Sequence, residues 1–396
     1  MIRVAKAKEK LFKSVNTSES VKVNISTATG FVLAKDIICP MDLPSFDNSS
    51  MDGYAISIGD TPDQHTYELT GESKAGDNQK HVLKAGQAIR IFTGAPLPEG
   101  ANCIVIQEHV EVKGGMITIA GNYEKGDFIR RTGSMMKKGE LALKRGTVLG
   151  PASIGFIASM GLSEIKIYKQ PDLAVIATGD EIVPLGQDIQ YGQVYESNSY
   201  SLESALYQMD IHPKHVMTSK DQKDMLEIQI RACLADSDII ILTGGISVGK
   251  YDLVYETLQK LEVYEYFYKV AQKPGKPFFA GKINHTIIFA LPGNPAAVLV
   301  CFYEYIYPVI RMMQGFEKPE MTHVSLQLLK EIKTKEGRAQ FVRAKRVEGG
   351  VMPLDGQDSF MLHSFAMADC LIYVPENALE IAVNEMVEVH VLPFLN

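Results

Sequence analysis

The sequence lacks any cluster of cysteines, since its five are scattered and no two are spaced as C-x-x-C: Cys39, Cys103, Cys233, Cys301 and Cys370. This spacing indicates neither a disulfide framework nor a cysteine-ligated zinc site, and it is typical of reduced thiols in a cytoplasmic protein. A Ser–His–Asp or Cys–His nucleophile is not visible either. Four histidines show no metal-ligand spacing and are interpreted as structural: His212, His215, His285 and His363.

Long apolar runs and an excess of basic charge are also missing. The most apolar long segment, residues 296–310, is interrupted by Glu304, and we expect it to be too short to span a bilayer. Residues 1–15 alternate lysines with single apolar residues and lack the apolar core of a signal peptide. The net charge of −7 argues against nucleic acid or an anionic membrane as a partner. A soluble, cytoplasmic protein is therefore expected.

One glycine-rich stretch stands out, residues 238–252, which read D-I-I-I-L-T-G-G-I-S-V-G-K-Y-D. The run Ile239 to Leu242 is typical of a strand that is buried on both faces, and Asp252 precedes a helical pattern. Glycines between a buried parallel strand and a helix suit phosphate binding, because backbone N–H groups and the helix N-terminus face the anion. The alternative is a turn that only reverses the chain.

Part of this stretch matches the first seven positions of the P-loop motif. Residues 244–250 fit G-x-x-x-x-G-K, but Tyr251 stands where a serine or threonine would ligate magnesium. A phenol does not replace that hydroxyl in the P-loop geometry. The pattern therefore disfavours an ordinary P-loop, and the neighbouring loops have to decide the function.

The order of strand-like and helical segments along the chain predicts an α/β multidomain protein. We expect a helix over Val4–Phe12, a strand near 30–36, short strands at 88–92, 103–107 and 116–119, and a helix and a strand near 151–160 and 165–168. From residue 171 to 315 strands and helices alternate, which predicts a doubly wound, mostly parallel sheet. Alternating valines at 387, 389 and 391 predict a small, barrel-like β domain in the tail.

These patterns predict four domains. An N-terminal α/β linking domain comprises residues 1–45 and 140–170, and it is interrupted by an inserted β-rich domain, residues 46–139. The central α/β domain that we expect to bind the nucleotide spans residues 171–315, and the C-terminal β domain spans residues 316–396.

In an open parallel sheet, ligands bind outside the carboxyl ends of the strands, and the loops of the central domain that leave from that edge carry charged residues. They bear carboxylates (Asp180, Glu181, Asp221, Asp252), the glycine turn, Gly293-Asn294, and a loop with Lys269, Lys273 and Lys276. Lysines and amides suit an oxyanion, and carboxylates suit a magnesium ion that bridges phosphate oxygens. Each piece alone has a structural alternative: a helix start, a solvated proline turn, or an N-cap with a following proline.

Six blocks of sequence resemble the molybdopterin molybdotransferases, the family of MoeA and the gephyrin E domain. They span nearly the whole chain and occur in the family's order. The blocks are F-D-N-S-S-M-D-G-Y-A (46–55), R-I-F-T-G-A-P (90–96), T-G-D-E (178–181), T-G-G-I-S-V-G (243–249), K-P-G-K-P (273–277) and L-P-G-N-P (291–295).

The resemblance implies an enzyme of molybdenum cofactor biosynthesis that takes molybdate and adenylylated molybdopterin, with Mg²⁺, and releases AMP. It implies an elongated homodimer with the active site between subunits, in which Asp52 and Thr93 act from the partner subunit. Other enzymes of the pathway and cofactor-accepting proteins are implied as further partners. Molybdenum would be held by the two sulfurs of the pterin, so no protein cysteine is needed.

The resemblance also assigns roles to individual residues. The catalytic residues are Asp52, Thr93, Glu181 and Asp252, of which Glu181 and Asp252 would hold the metal. Substrate and nucleotide would bind at Gly179, Asp180, Asp221, Thr243, Gly244, Gly245, Ser247, Gly249, Pro292, Gly293, Asn294 and Pro295. The molybdate pocket would comprise Lys269, Lys273, Lys276, Arg343 and Ser364.

A few positions depart from the family pattern. Met135 stands where an acid is usual, Lys250 replaces an acid beside the glycine turn, and A-D-C-L replaces A-N-G-L at 368–371. Two alternatives stay open. One is an adenylyltransferase or nucleotide pyrophosphatase on the same sheet, and the other is a scaffold that binds partners with weakened catalysis.

Overall fold

A computed structural model describes residues 1–59, 65–246, 252–334 and 337–393. Contacts within the backbone divide the chain into two units. The first comprises Met1–Val21 and Ile167–Asn396, and the second comprises Lys22–Lys166. The fourfold division expected from the sequence stays a prediction.

Short strands dominate the chain up to residue 168. In order, its helices and strands are α1 (Val4–Phe12), β1 (Ser20–Asn24), β2 (Ile37–Ile38), β3 (Asn48–Ser49), β4 (Gly53–Ile56), β5 (Thr66–Ser73), β6 (Gln87–Ile91), β7 (Cys103–Ile106), β8 (Val110–Lys113), β9 (Met116–Ile119), β10 (Ile129–Arg130), β11 (Leu141–Leu143), α2 (Pro151–Ser159) and β12 (Glu164–Tyr168). The helices predicted near Val4–Phe12 and 151–160 are confirmed, and so are the strands at 88–92, 103–107, 116–119 and 165–168.

The sheet of the second unit has the strand order β7-β4-β6-β5-β9-β8. Successive residues of β4 alternate between two small cores: Tyr54 and Ile56 pack with Val105 and Ile117, while Ala55 packs with Ile91. This alternation is what the pleat of a strand produces when both of its faces are covered.

The strand predicted near residues 30–36 is wrong. Gly30 and Leu33 donate to Leu149 and Thr147, but the next N–H, that of Ala34, donates to Lys166. The pairing with residues 146–149 is therefore limited to an isolated bridge between Val32 and Val148, and the strand that follows is the short β2.

Beyond residue 168, strands and helices alternate and then give way to strands. In order they are β13 (Leu173–Thr178), β14 (Ile182–Val183), β15 (Val194–Tyr195), α3 (Asn198–Tyr207), β16 (His215–Ser219), α4 (Lys223–Cys233), β17 (Ile239–Thr243), α5 (Leu253–Lys260), β18 (Tyr264–Tyr268), β19 (Gln272–Lys273), β20 (Phe279–Ile283), β21 (Thr286–Leu291), α6 (Pro295–Cys301), α7 (Tyr307–Met313), β22 (Thr322–Gln327), β23 (Ile332–Lys333), β24 (Ala339–Val347), β25 (Gly350–Pro353), α8 (Leu362–Met367), β26 (Cys370–Val374), β27 (Glu380–Ile381) and β28 (Met386–Val391).

The central sheet of the first unit has the order β16-β13-β17-β21-β20-β18. Strands β16, β13, β17 and β21 run parallel, as predicted, whereas β20 is antiparallel to both of its neighbours. Strands β18 and β20 were not predicted from the sequence. Since β18 runs in the same direction as β21, the lysine-bearing loop that follows it leaves from the same edge as the other loops.

Both faces of this sheet are covered, which explains the continuous apolar runs of its strands. In β17, Ile239 and Ile241 face a core shared with α3, α6 and α7, whereas Ile240 and Leu242 face a core shared with α4 and α5. A strand of such a doubly wound sheet needs apolar side chains at every position.

One helical segment, Pro295–Met313, extends beyond the apolar residues 296–310 at both ends. Helices α6 and α7 are joined by a π-helical turn at Phe302–Ile306, so that the segment is 19 residues long and apolar enough to cross a membrane by length and composition. However, 78% of its most apolar window is buried inside the protein, as is usual for the central helix of a soluble domain.

The C-terminal sheet has the order β19-β24-β26-β28-β22, with β25 paired to β24. The predicted strand at 387–391 is β28, in which Val387 and Val389 lie in the core of this sheet.

Candidate active site

A cavity of about 680 Å³ opens at the carboxyl edge of the central sheet. This volume is in the range that small-molecule ligands occupy. The ends of three parallel strands supply its floor: Thr178 of β13, Thr243 with Gly244 after β17, and Pro292 after β21. The predicted residues that line it are Glu181, Thr243, Gly244, Lys276, Pro292, Gly293, Asn294 and Pro295.

Gly244 has to be a glycine because the turn passes directly over the end of β13. Its φ is +87°, and a Cβ there would lie 2.1 Å from the carbonyl oxygen of Thr178. Gly245 is also left-handed, and a Cβ there would lie 2.6 Å from the Thr178 hydroxyl oxygen and 2.7 Å from Val254 Cγ2. The backbone N–H of Gly244 donates to the carbonyl of Leu291 at 3.2 Å, which holds the turn against the end of β21 beside the cavity. Ser247 and Gly249, predicted for the same turn, lie outside the described residues.

Carboxylates gather beside the end of β13. Glu181 lines the cavity, and a Cβ on Gly179 would lie 2.8 Å from its Oε2. The backbone N–H of Asp221 donates to Asp180 Oδ1 at 3.1 Å. Burial, together with repulsion from Asp180 and Glu181, raises the pKa of Asp221. Such crowding of negative charge suits a divalent cation, which would offset the repulsion.

Asp252 caps the helix that follows the glycine turn. Its Oδ1 accepts from the backbone N–H of Tyr255 at 3.1 Å, and its other oxygen accepts from the hydroxyl of Tyr268. Only 8% of the residue is exposed. It is not among the residues that line the cavity, although the adjoining residues 247–251 are not described.

The predicted lysines differ in position. Lys276 lines the cavity. The Nζ of Lys269 lies 4.5 Å from the ring centroid of Tyr268, the residue that binds Asp252. Lys273 is exposed and belongs to β19, where it pairs with Gln340 of the C-terminal sheet.

Arg343 and Ser364 lie together beneath the loop at 354–361. Both donate to the carbonyl of Gly356, Arg343 through Nη2 at 2.8 Å and Ser364 through its hydroxyl at 2.7 Å. Arg343 is fully buried, yet its Nε and Nη1 have no hydrogen-bond partner among the described residues. Burial lowers the pKa of its guanidinium. Burying a guanidinium with two unpaired N–H donors costs free energy unless an anion accepts hydrogen bonds from them.

Comparison with known proteins shows the family. Residues 2–161 match the MoeA N-terminal region (domain I and II), residues 174–312 match the "Probable molybdopterin binding domain", and residues 325–392 match the MoeA C-terminal region (domain IV). The chain belongs to the MoeA family.

MoeA relatives resemble it over their full length. The chain is 32% identical to the molybdopterin molybdenumtransferase of Haemophilus influenzae over 98% of both chains. It is 33% identical to molybdopterin molybdenumtransferase 2 of Mycobacterium tuberculosis, over 93% of this chain and 94% of the other. The solved MoeA protein of Pyrococcus horikosii superposes with a TM-score of 0.83 at 27% identity, covering 99% of both chains. These relatives make this chain an enzyme of the molybdopterin molybdenumtransferase kind.

In the second unit, two MoeA-like blocks pack against each other. Asp52 of the first block accepts from Thr93 of the second, at 2.8 Å from the backbone N–H and 2.9 Å from the hydroxyl. These bonds and the charge of Arg90 lower the pKa of Asp52, which is exposed. The arrangement presents a fixed, ionised carboxylate to solvent. Met135, at the departure from the family pattern, is also exposed in this unit.

Residues at the start of α3 also line the cavity and were not predicted from the sequence, among them Glu196, Ser197 and Asn198. Asn198 Nδ2 donates to Thr243 Oγ1 at 3.0 Å and to the carbonyl of Gly293 at 2.9 Å, so that it ties two loops together. Its Oδ1 and the hydroxyl of Thr178 are buried without a partner among the described residues. The run S-N-S before a helical pattern was the available signal, because such residues favour helix N-termini.

Proposed function

We propose that this enzyme transfers molybdate to adenylylated molybdopterin, with release of AMP, as a step of molybdenum cofactor biosynthesis. The observation that carries the proposal is the cavity itself, which Glu181, Lys276 and Gly244 of the glycine turn all line in a chain of the MoeA family. The anhydride between the pterin phosphate and AMP is negatively charged, so a lysine and the backbone N–H groups would bind it and stabilise the charge that develops as it breaks.

The reaction would require Mg²⁺, held by Glu181 and Asp252 with Asp180 and Asp221 close by. Burial raises the pKa of Asp221, and the charges of Asp180 and Glu181 raise it further, which supports a cation at this edge. When bound, Mg²⁺ supplies charge neutralisation at the phosphate oxygens. The hydroxyl of Tyr268 donates to Asp252 and holds its carboxylate in place.

The molybdate substrate would bind near Lys269, Lys273, Lys276, Arg343 and Ser364. The two unpartnered N–H groups of buried Arg343 support this assignment, because an oxyanion would satisfy both of them. The five cysteines are all buried, which agrees with a metal that is held by the sulfurs of the pterin rather than by thiolates of the protein.

The active enzyme would be a cytoplasmic homodimer, in which Asp52 and Thr93 of the partner subunit complete each site. The hydrogen bonds between these two residues fix an exposed carboxylate, as a group that acts on a neighbouring subunit requires. The finished cofactor would pass to other proteins of the pathway or to acceptor enzymes.

AMP release tests the proposal. The purified protein, given adenylylated molybdopterin and Mg²⁺, should release AMP only after molybdate is added. We expect Glu181→Gln and Asp252→Asn each to lower turnover by about 100-fold or more, because a transition-state contact is lost. Glu317→Gln, which changes an exposed carboxylate outside the cavity, is the matched control and should leave turnover unchanged.

Other outcomes identify the alternatives. AMP release without molybdate would show a nucleotide pyrophosphatase. A folded protein that releases no AMP would show a scaffold, for which the exposed Met135 in place of an acid is the supporting observation. Full turnover in both carboxylate variants would remove the assignment of the metal ligands.

A further inference from the structure

Two aromatic side chains line the cavity at the carboxyl edge of the central sheet, and the proposed reaction assigns them no role. Among the described residues they are Tyr195 of β15 and Phe360 of the loop before α8, whereas the other apolar lining residues are aliphatic, such as Ile182 and Pro277. Tyr195 is 44% exposed and Phe360 is 62% exposed. A single exposed apolar side chain is common on a protein surface, but two exposed rings in one cavity offer a ligand an aromatic surface.

The two residues that precede Phe360 are bound to neighbouring elements. The hydroxyl of Ser359 accepts a hydrogen bond from Asn294 Nδ2 at 2.7 Å. The carbonyl of Asp358 accepts one from Arg343 Nη2 at 3.1 Å. Phe360 therefore stands on an anchored loop, and fixing the ring beforehand lowers the conformational entropy that is lost when a ligand binds.

Tyr195 is held in place by its backbone and by its hydroxyl. It pairs with Val183 in the parallel ladder of β14 and β15, and its hydroxyl donates to the carbonyl of Gln187 at 3.0 Å. Within the described part of the chain, neither Tyr195 nor Phe360 contacts another aromatic ring. A planar ring on a ligand would therefore meet aromatic side chains that have no competing partner of the same kind.

The two rings reach the cavity from different parts of the chain. Tyr195 belongs to the segment between β13 and α3, and the loop of Phe360 is bound through Ser359 to Asn294, which follows β21. Strands β13 and β21 are the two neighbours of β17 in the sheet. Lys276 lines the same cavity and supplies a cation. A cation and aromatic rings in one cavity suit a ligand that combines a planar ring with an anionic group such as phosphate.

We propose that Tyr195 and Phe360 position the substrate by packing against one of its planar, fused nitrogen rings, an inference that rests on the proposed function. The proposed substrate carries two such rings, pterin and adenine, and each presents a π face on which an aromatic side chain can stack. The contact transfers neither a proton nor a group. It would hold the ring while Lys276 and the carboxylates act on the phosphates, and it would select ligands that carry a ring over a bare phosphate.

Equilibrium binding of two probes to the full-length protein, in the presence of Mg²⁺, tests the inference. AMP carries the adenine ring, and hydroxymethylpterin carries the pterin ring. We expect Phe360→Ala and Tyr195→Ala each to weaken the binding of one of these probes about five-fold or more, which is the size of a stacking contact between a base and an aromatic side chain. The probe that is affected identifies the ring that the two side chains contact. Both variants should melt at the temperature of the parent, because the side chains removed are exposed.

Matched variants separate a ring contact from a structural role. Phe360→Tyr and Tyr195→Phe keep a ring and should bind both probes as the parent does. Tyr264→Ala, which removes an exposed ring at the start of β18 outside the cavity, should also bind as the parent does. A parent that binds neither probe, or alanine variants that bind both probes as tightly as the parent, would overturn the inference. Weakened binding in the variants that keep a ring would show a structural role and would overturn it as well.

Release of AMP is a separate readout. A parent that releases no AMP after molybdate is added would refute the proposed function, whereas the binding result does not depend on turnover. In the active protein, Phe360→Ala and Tyr195→Ala should raise KM for adenylylated molybdopterin more than they lower kcat. A ring contact that is made equally in the ground state and in the transition state changes KM alone.

Discussion

Replacing Gly244 by alanine should destabilise the carboxyl edge of the central sheet. The new Cβ would lie 2.1 Å from the carbonyl oxygen of Thr178, an atom of the backbone that cannot swing aside as a flexible side chain can. At φ +87° an L-residue costs about 1 to 2 kcal/mol. Displacing β13 from β17 to relieve the overlap adds about 1 to 3 kcal/mol, as overpacking of a tight interior does. We therefore expect a total loss of about 2 to 5 kcal/mol.

Gly293 provides the matched control in the same cavity. A Cβ there would have the Cα of Gly244 as its nearest neighbour, at 3.7 Å, and its backbone is not left-handed. Gly293→Ala should cost less than about 1 kcal/mol.

Amide hydrogen exchange is the suitable assay, because a chain of several domains does not unfold in a single transition. We expect faster exchange in peptides that contain β13 and β17 in Gly244→Ala, and unchanged exchange in β4 and β6 of the second unit. If Gly244→Ala and Gly293→Ala exchange alike, the close approach of the turn to Thr178 does not constrain position 244, and the reasoning fails.

Two further predictions concern stability near the sheet. Asp172 contacts Lys169 Nζ at 2.8 Å and Lys214 Nζ at 3.1 Å, and although burial raises the pKa of its carboxyl, the two lysines outweigh burial and lower it. The pairs therefore contribute stability above the unfolded-state pKa of about 3.9, and that stability is lost as the pH falls through the lower folded-state value. Asp172→Asn should lower the melting temperature at neutral pH, and its difference from the parent should shrink as the pH falls below about 4. A difference that stays constant from neutral to acidic pH would contradict the ion pairs. Asn198→Ala removes the side chain that donates to Thr243 and to the carbonyl of Gly293. We expect this variant to lower the free energy of the opening that exposes the amides of β17 and β21 by about 1 to 2 kcal/mol. Unchanged exchange rates in these two strands would contradict that role.

Much of the central sheet could be predicted because its strands are buried on both faces. Leu173–Thr178 and Ile239–Thr243 are almost entirely apolar, and each is followed by a turn signal, so the pattern alone identifies them. The edge strand β18 reads Y-E-Y-F-Y and carries both exposed and buried positions, which is why periodicity did not separate it from the surrounding loops. The residues 30–36 are apolar enough for a strand, but the pairing that decides the matter is non-local.

The candidate site was predictable to the extent that its residues follow parallel strands. Glu181, Gly244 and Gly293 lie in the loops that follow β13, β17 and β21, and the topology alone brings them to one edge. Asn198 was missed because it reaches the cavity from a helix start after an excursion through β14 and β15.

The division of β17 between two cores restricts which insertions and deletions the protein can tolerate. Insertion or deletion of a single codon within Ile239–Thr243 would exchange the side chains that face α3 with those that face α4, and would also move Gly244 off the end of Thr178. Length variation among natural variants should therefore be absent from this strand and tolerated at the β8–β9 hairpin, whose turn glycines have open space around them.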